Sequence, residues 1–420
     1  MTLGDETKGA LIPVRSKYGL RRACPEPYPQ DICPMISECT SRLNTTKARN
    51  PASSVWKYMI MVRPRTRPTR QEINLINLLE DDEARLFLHD HGPSLYRNDA
   101  TATPYQCPSW LAGWTEYLPS TAAPVILVAE GGATSEPIAA LPMARELRAN
   151  TRPRLRPLGA PHAEYLRAVG PGAHQPTVAE ALLRTLESLA QEDDVELSDI
   201  PLGSVLGRQL ESRPGWWQTT IPCAVLDLPV AYAALSPSTR REHRRRERTW
   251  QTLVGEGRRI TYRRTRGTAE LITAWEGLRD LYQRARGADP GFAEKGTWPA
   301  LLQRLGSGTA FIATLELDET AVAAQLCLYR NTHCYSLLPA MDPEARDLAP
   351  GHALLRILTA DLAAQGFTTL DLGRTRDTDG QRGYKAQYNA RWSSTLTTGT
   401  GQSRDARNRV PVPPVAATTR

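Results

Sequence analysis

The sequence predicts an α/β protein, α+β in detail, made of two similar modules in tandem. Three observations predict it. The 420-residue chain has room for two or three domains of ordinary size, and 40% hydrophobic residues are enough to build their cores. The same run of elements (hairpin, helix, strand, short helix or loop, closing strand) is legible twice along the chain. Residues 349–392 read as loop, helix, strand and a second polar loop, with turn residues at the junctions.

Taken in order, residues 1–55 mix Pro, Ser, Thr, Cys and charge without periodicity and are expected to be a disordered tail. Residues 56–62 are a short apolar run. Residues 72–79 and 82–91 are expected as two short helices. Pro108 opens a further helix, with Ser109 as its cap. Residues 124–129 and 138–143 flank Gly131-Gly132 and read as a hairpin. Residues 153–161 are expected to be loop. Leu182, Leu183, Leu186 and Leu189 line one face of a helix over 178–190. A strand over 194–200, a helix over 204–212 and a closing strand over 219–228 complete the first half.

The second half opens with a helix over 238–255, capped by Ser236 or Ser238, and a strand over 257–266. Helices follow over 270–285 and 298–305. Residues 310–317 and 321–329 form a hairpin around Asp318-Glu319, and 334–338 a strand. Pro350-Gly351 then starts a helix whose Leu354, Leu355, Leu358 and Leu362 share a face. Gly366 stands where a helix end favours positive φ, and residues 367–372 are a strand ending at Gly373. Residues 401–420 return to tail composition.

The net charge is +7, and Arg240, Arg241, Arg244, Arg245, Arg246 and Arg248 crowd one expected helix. Such a block suits an anionic partner or a solvated helix face. The seven cysteines form no CxxC pair and have no histidine at ligand spacing, which argues against zinc. Their odd number argues against a complete disulfide framework. No early apolar run follows positive charge, and no stretch reaches 18 apolar residues, so a cytoplasmic chain with no membrane span is expected. Nucleophile-elbow, Walker A and HExxH patterns do not occur.

A helix that follows a Pro-Gly loop presents unbonded N–H groups and the positive end of its dipole, a seat for phosphate. The wider pattern is Pro350-Gly351, Gly366, Asp371-Leu372-Gly373, then Tyr384-Lys385 before the aromatic Tyr388. Upstream stand the basic helix from residue 235 and the hairpin over 311–329. Over residues 235–392, in order, this resembles the GNAT acyltransferase superfamily, in its tandem CelD-like and FemABX-like branch. The resemblance implies tandem GNAT modules, each a mixed, mostly antiparallel sheet flanked by helices. Residues 56–234 would be a degenerate N-terminal module, and 235–400 the acyltransferase module. The first half lacks a Pro-Gly helix start, Pro176 being the nearest equivalent.

The implied reaction moves an acyl group from acetyl-CoA or another acyl-CoA to a small-molecule amine, without metal and without DNA. Two alternatives are peptide-bond formation from aminoacyl-tRNA and ligand binding without catalysis. Pro350, Gly351, His352, Ala353 and Leu354 would hold the donor, although Leu348 stands where the family usually has Gln or Arg. Asp371, or Glu316, would serve the amine, and Tyr384 or Tyr388 would protonate the leaving thiolate. Lys385 would neutralise charge on the acyl oxygen, and Gln325 and Tyr335 would contact substrate.

Overall fold

The computed structural model describes residues 73–131, 135–286, 297–375 and 379–400. The expected tails, the apolar run at 56–62, Gly132, and Cys24, Cys33 and Cys39 lie outside them. The first half runs β1 (Ile73–Glu80), α1 (Asp81–Asp90), α2 (Gly92–Arg97), α3 (Pro108–Glu116), β2 (Ala122–Gly131), β3 (Glu136–Glu146), β4 (Arg154–Pro157), α4 (Pro176–Leu189), β5 (Asp194–Pro201), α5 (Val205–Glu211) and β6 (Trp217–Asp227). The second half runs α6 (Pro237–Gly255), β7 (Ile260–Arg264), α7 (Thr268–Arg286), α8 (Trp298–Leu305), β8 (Ala310–Leu317), β9 (Thr320–Arg330), β10 (His333–Met341), α9 (Pro350–Ala364), β11 (Thr369–Arg374), α10 (Asp379–Ala386) and β12 (Arg391–Gly399).

Four local expectations are corrected. Residues 73–80 form strand β1, not a helix. The apolar residues of Ile73-Asn-Leu-Ile-Asn-Leu recur about every third position and imitate a helix, but pairing with β2 (Leu78 opposite Leu127, Glu80 opposite Val125) decides the conformation. The cap of α3 is Cys107, whose Sγ accepts from the Trp110 amide at 3.4 Å, rather than Ser109. The expected loop at 153–161 contains β4. The polar loop expected after β11 contains α10. Elsewhere the signals hold: Ser236 caps α6 by accepting from the Thr239 amide, and Gly366 has φ 84°.

Among the described residues twelve strands join in one sheet, ordered β1-β2-β3-β4-β5-β12-β6-β11-β10-β9-β8-β7. Read inward from either edge, the order is the same for the two halves. Each half has one parallel pair, β4 with β5 and β10 with β11, and the other pairs are antiparallel. The closing strands are exchanged. β6 of the first half pairs with β11 of the second, while β12 pairs with β5 of the first and also with β6.

Side-chain alternation along the strands divides the core by sheet face. On one face α1–α3 and α7–α8 build a single apolar core shared by both halves. Its centre is a group of rings: Trp110 and Trp114 of α3, Trp298 of α8 and Trp275 of α7. Helices α3 and α8 approach so closely that a Cβ on Gly113 would lie 2.6 Å from Leu301 Cδ1. On the other face α4 and α5 cover the first half, and α6 and α9 cover the second. Among the described residues no helix is long and apolar enough to cross a membrane. Nor is any group of three or more His, Cys, Asp or Glu placed to hold a metal ion among them. Cys107, Cys223, Cys327 and Cys334 are buried free thiols.

Candidate active site

Strands β10 and β11 pair from His333 opposite Thr369 only as far as Tyr335 opposite Asp371. Beyond that point both strands bulge. Leu337 is the extra residue of β10, between Ser336 opposite Cys327 and Leu338 opposite Leu326. Leu372 and Gly373 bulge in β11, between Asp371 opposite Val225 and Arg374 opposite Cys223. Bulges re-aim backbone and side chains, and here they separate a pair of parallel strands in the middle of the sheet. The first half repeats the device: β5 bulges between Leu197 and Ile200, and Asp199 has φ 57° where Gly373 has φ 68°.

Helix α9 starts at the wide end of this parting. Its N-cap, Ala349, is left-handed at φ 50°, and no side chain caps the helix. Pro350 fills the first helical position, where a missing N–H costs nothing. A Cβ at Gly351 would meet only Met341 Sδ, at 3.8 Å, so the first turn is uncrowded. The carbonyl of Leu348 accepts from Trp250 Nε1 at 2.8 Å, which fixes the turn against α6. Leu348 itself packs into the α9 core, an apolar use of the position where Gln or Arg was expected.

Around this turn His352, Tyr384, Tyr388, His243 and Arg246 form one cluster. His352 Nδ1 lies 2.6 Å from Tyr388 Oη and 3.1 Å from Arg246 Nη1. Arginine can only donate, so Nδ1 is the acceptor and the ring is neutral. Burial, the Arg246 charge and His243 hold its pKa down to about 3. Tyr384 Oη donates to the Gly351 carbonyl at 3.3 Å. Burial pushes both phenols well above the usual tyrosine range, so they remain protonated donors. A cavity of about 170 Å3 continues from here between α6 and α9, over Trp250, Leu315 and Ile357.

On the opposite face of the sheet Asp371 is the centre of a second cluster. Its Oδ2 accepts from Tyr165 Oη at 2.5 Å, and its Oδ1 from the Gly373 amide at 2.7 Å. Burial, then the Glu164 charge, push its pKa up to about 7. Glu164 accepts from the Arg374 amide and guanidinium at 3.2 and 3.1 Å, and Arg374 reaches on to Asp199 at 2.9 Å. A Cβ on Gly373 would lie 2.6 Å from Glu164 Oε2 and displace that carboxylate, and the φ of 68° favours glycine there. Lys385 Nζ donates to the carbonyls of Gly373 and Arg374 at 2.9 and 2.7 Å, and burial lowers its pKa. Its ammonium thereby ties α10 to the bulge. The rings of Tyr105 and Tyr165 each lie 6.0 Å from that of Tyr335.

The residues expected from the sequence therefore fall into two groups, one on each face of the parting. Pro350 to Leu354, Tyr384 and Tyr388 gather at the start of α9. Asp371, Lys385 and Tyr335 gather on the far face, and α10 bridges the groups through the neighbours Tyr384 and Lys385. Gln325 is buried in β9, opposite Ala313 and Pro339. Glu316 pairs with Arg263 at 3.2 Å, beside the edge strand β7, and belongs to neither group. Glu164, Tyr165 and Tyr105 carry no motif and come from the first half. Their only local mark is the backbone of Tyr165, at φ 56°, an uncommon conformation for a bulky residue.

Residues 237–386 match the family of acetyltransferase (GNAT) domains. The fold is shared with the crystal structure of FemX, at TM-score 0.52 and 10% identity, over 73% of this chain and 94% of that one. It is shared also with a conserved protein of unknown function from Bacteroides thetaiotaomicron, at TM-score 0.50 and 11% identity, over 75% and 97% of the two chains. A tandem GNAT protein from the clavulanic acid biosynthesis pathway aligns at TM-score 0.46 and 14% identity, over 78% and 100%. Comparison with curated proteins gives no match. Residues 237–386 thus match an acetyltransferase (GNAT) domain, and the chain as a whole shares the fold of FemX.

Proposed function

We propose that this chain is an N-acyltransferase that takes an acyl group from an acyl-CoA thioester and passes it to a small-molecule amine. The carrying observation is the parting of β10 and β11 beside the uncapped first turn of α9. The turn offers the Gly351 N–H and a positive dipole end to the donor's pyrophosphate, the His352 and Ala353 amides being bonded to the Ala349 carbonyl. The parting offers the donor's chain an unpaired strand edge, and the thioester then lies near Asp371, on the face away from α9. A carboxylate with pKa near 7 is matched to taking a proton from an amine at neutral pH. The protonated Tyr384 and Tyr388 suit donation toward the leaving sulfur, and no step calls on a metal.

The test is thiol release from acetyl-CoA in the presence of a panel of primary amines. Amine-dependent release by the wild type is expected, with a loss of roughly 10²–10⁴-fold in Asp371→Asn, the usual contribution of a general base. Release that ignores the amine, or is unchanged in the variant, contradicts the reading.

A second reading takes aminoacyl-tRNA as donor. It is favoured by Arg241, Arg244, Arg245 and Arg248, which are exposed along the outer side of α6, away from buried His243 and Trp250. Against it, α7 and α8 have 19 and 8 residues, short of an extended helical arm among the described residues. RNase-sensitive transfer would select it.

A further inference from the structure

We propose that the first half contributes directly to the site in the second: Tyr165 is a positioning residue that holds Asp371 as proton acceptor, and the face it shares with Tyr105 and Tyr335 receives the amine. This rests on the donor reading above and extends it to the acceptor.

Three observations carry it. The Tyr165 phenol reaches across the junction to the Asp371 carboxylate at 2.5 Å, and does so from a left-handed backbone. Bulky residues hold such conformations where the surroundings impose them, and these concentrate at functional sites. Tyr105 is fully buried, and its Oη has no hydrogen-bond partner. A buried unpaired hydroxyl is costly and calls for an explanation, which a polar ligand at this face supplies. Finally, α9 closes one face of the parting, so a donor that enters from α9 presents its acyl carbon to the other face, where these rings stand.

Three tyrosine rings beside the carboxylates of Glu164 and Asp371 suit an alkylammonium, which is drawn to aromatic faces and to negative charge. The ammonium gives one proton to Asp371. Its nitrogen lone pair forms the C–N bond as the C–S bond breaks; the departing thiolate takes a proton from the Tyr384 or Tyr388 phenol, and the second proton of the new amide nitrogen restores that phenol. Asp371 then returns its proton to solvent.

The groups that face Asp371 are Glu164 and Tyr165 from the first half, Cys223 from β6, Tyr335 from β10, and Lys385 from α10, with Tyr105 and Arg391 further out. Of these, Tyr165 donates a hydrogen bond that favours the charged carboxylate. Replacing it by phenylalanine should therefore raise the midpoint at which Asp371 ionises.

The test follows the carboxylic acid stretch of the full chain by infrared difference spectroscopy across pH, with the Asp371 band assigned by its loss in Asp371→Asn. A midpoint near 7 is expected in the wild type, raised by about one unit in Tyr165→Phe. Acetyl-CoA affinity should stay within about twofold in that variant. Amine-dependent thiol release should fall at least about tenfold, a fraction of what a general base supplies, with its pH profile displaced by the same amount. An Asp371 midpoint that does not move overturns the proposal, whatever the activity does. Should acetyl-CoA fail to bind the wild type, the donor reading and the acceptor face fall together, and the midpoint still decides the role of Tyr165.

Discussion

Asp371 occupies a position where burial and hydrogen bonding pull its carboxyl in opposite directions. A carboxyl buried beside Glu164 would be cheaper to fold as a neutral group, yet two donors, Tyr165 and the Gly373 amide, hold it ready to ionise. Its folded pKa, about 7, lies above its ordinary value of 3.8, so the folded state binds the proton more tightly between those two values. The stability this gives is complete below about pH 4 and is lost as pH rises through about 7. Asparagine does not titrate. The melting-temperature gap between Asp371→Asn and the wild type should accordingly move in favour of the variant from about pH 4 to pH 8. Calorimetric melting across that range checks it, and a gap that stays constant would show that Asp371 does not titrate there.

At the scale of elements, the sequence is a good guide wherever a local signal and tertiary packing agree. Helix α9 is legible because Pro350 fixes its start, Gly366 its end, and its leucines the buried face. The hairpin of β8 and β9 is legible from Asp318 and Glu319, both at positive φ, between two apolar runs. Strand β1 is not legible, since its three-residue spacing points to a helix and only β2 makes it a strand. Helix α10 is hidden by polar composition; what holds it is the Lys385 ammonium on two carbonyls and Tyr384 on α9. Half of the site shares this fate. The first turn of α9 and Asp371 stand in recognisable local patterns, whereas Tyr165 reaches Asp371 across a sequence separation of 206 residues and leaves no motif in the local sequence.

For the molecule as a whole, the exchange of β6 and β12 makes the halves interdependent. β11 has β6 of the other half as its inner neighbour, and β12 has no neighbour from its own half at all. Residues 235–400 expressed alone would expose two unpaired edges in the middle of a sheet, a condition that favours aggregation. They should give no cooperative thermal transition, whereas co-expression with residues 73–234 should restore one.

The central claim, that the donor sits at the first turn of α9, is tested most directly by calorimetric titration of acetyl-CoA into the wild type and Gly351→Trp. The substitution places an indole over the turn, where a Cβ meets nothing closer than Met341 at 3.8 Å, so the fold should accept it. Saturable binding to the wild type, weakened at least about 100-fold (about 2.7 kcal/mol) in the variant at unchanged melting temperature, is the predicted result. Equal binding to both proteins, or none to the wild type at millimolar acetyl-CoA, would contradict the account.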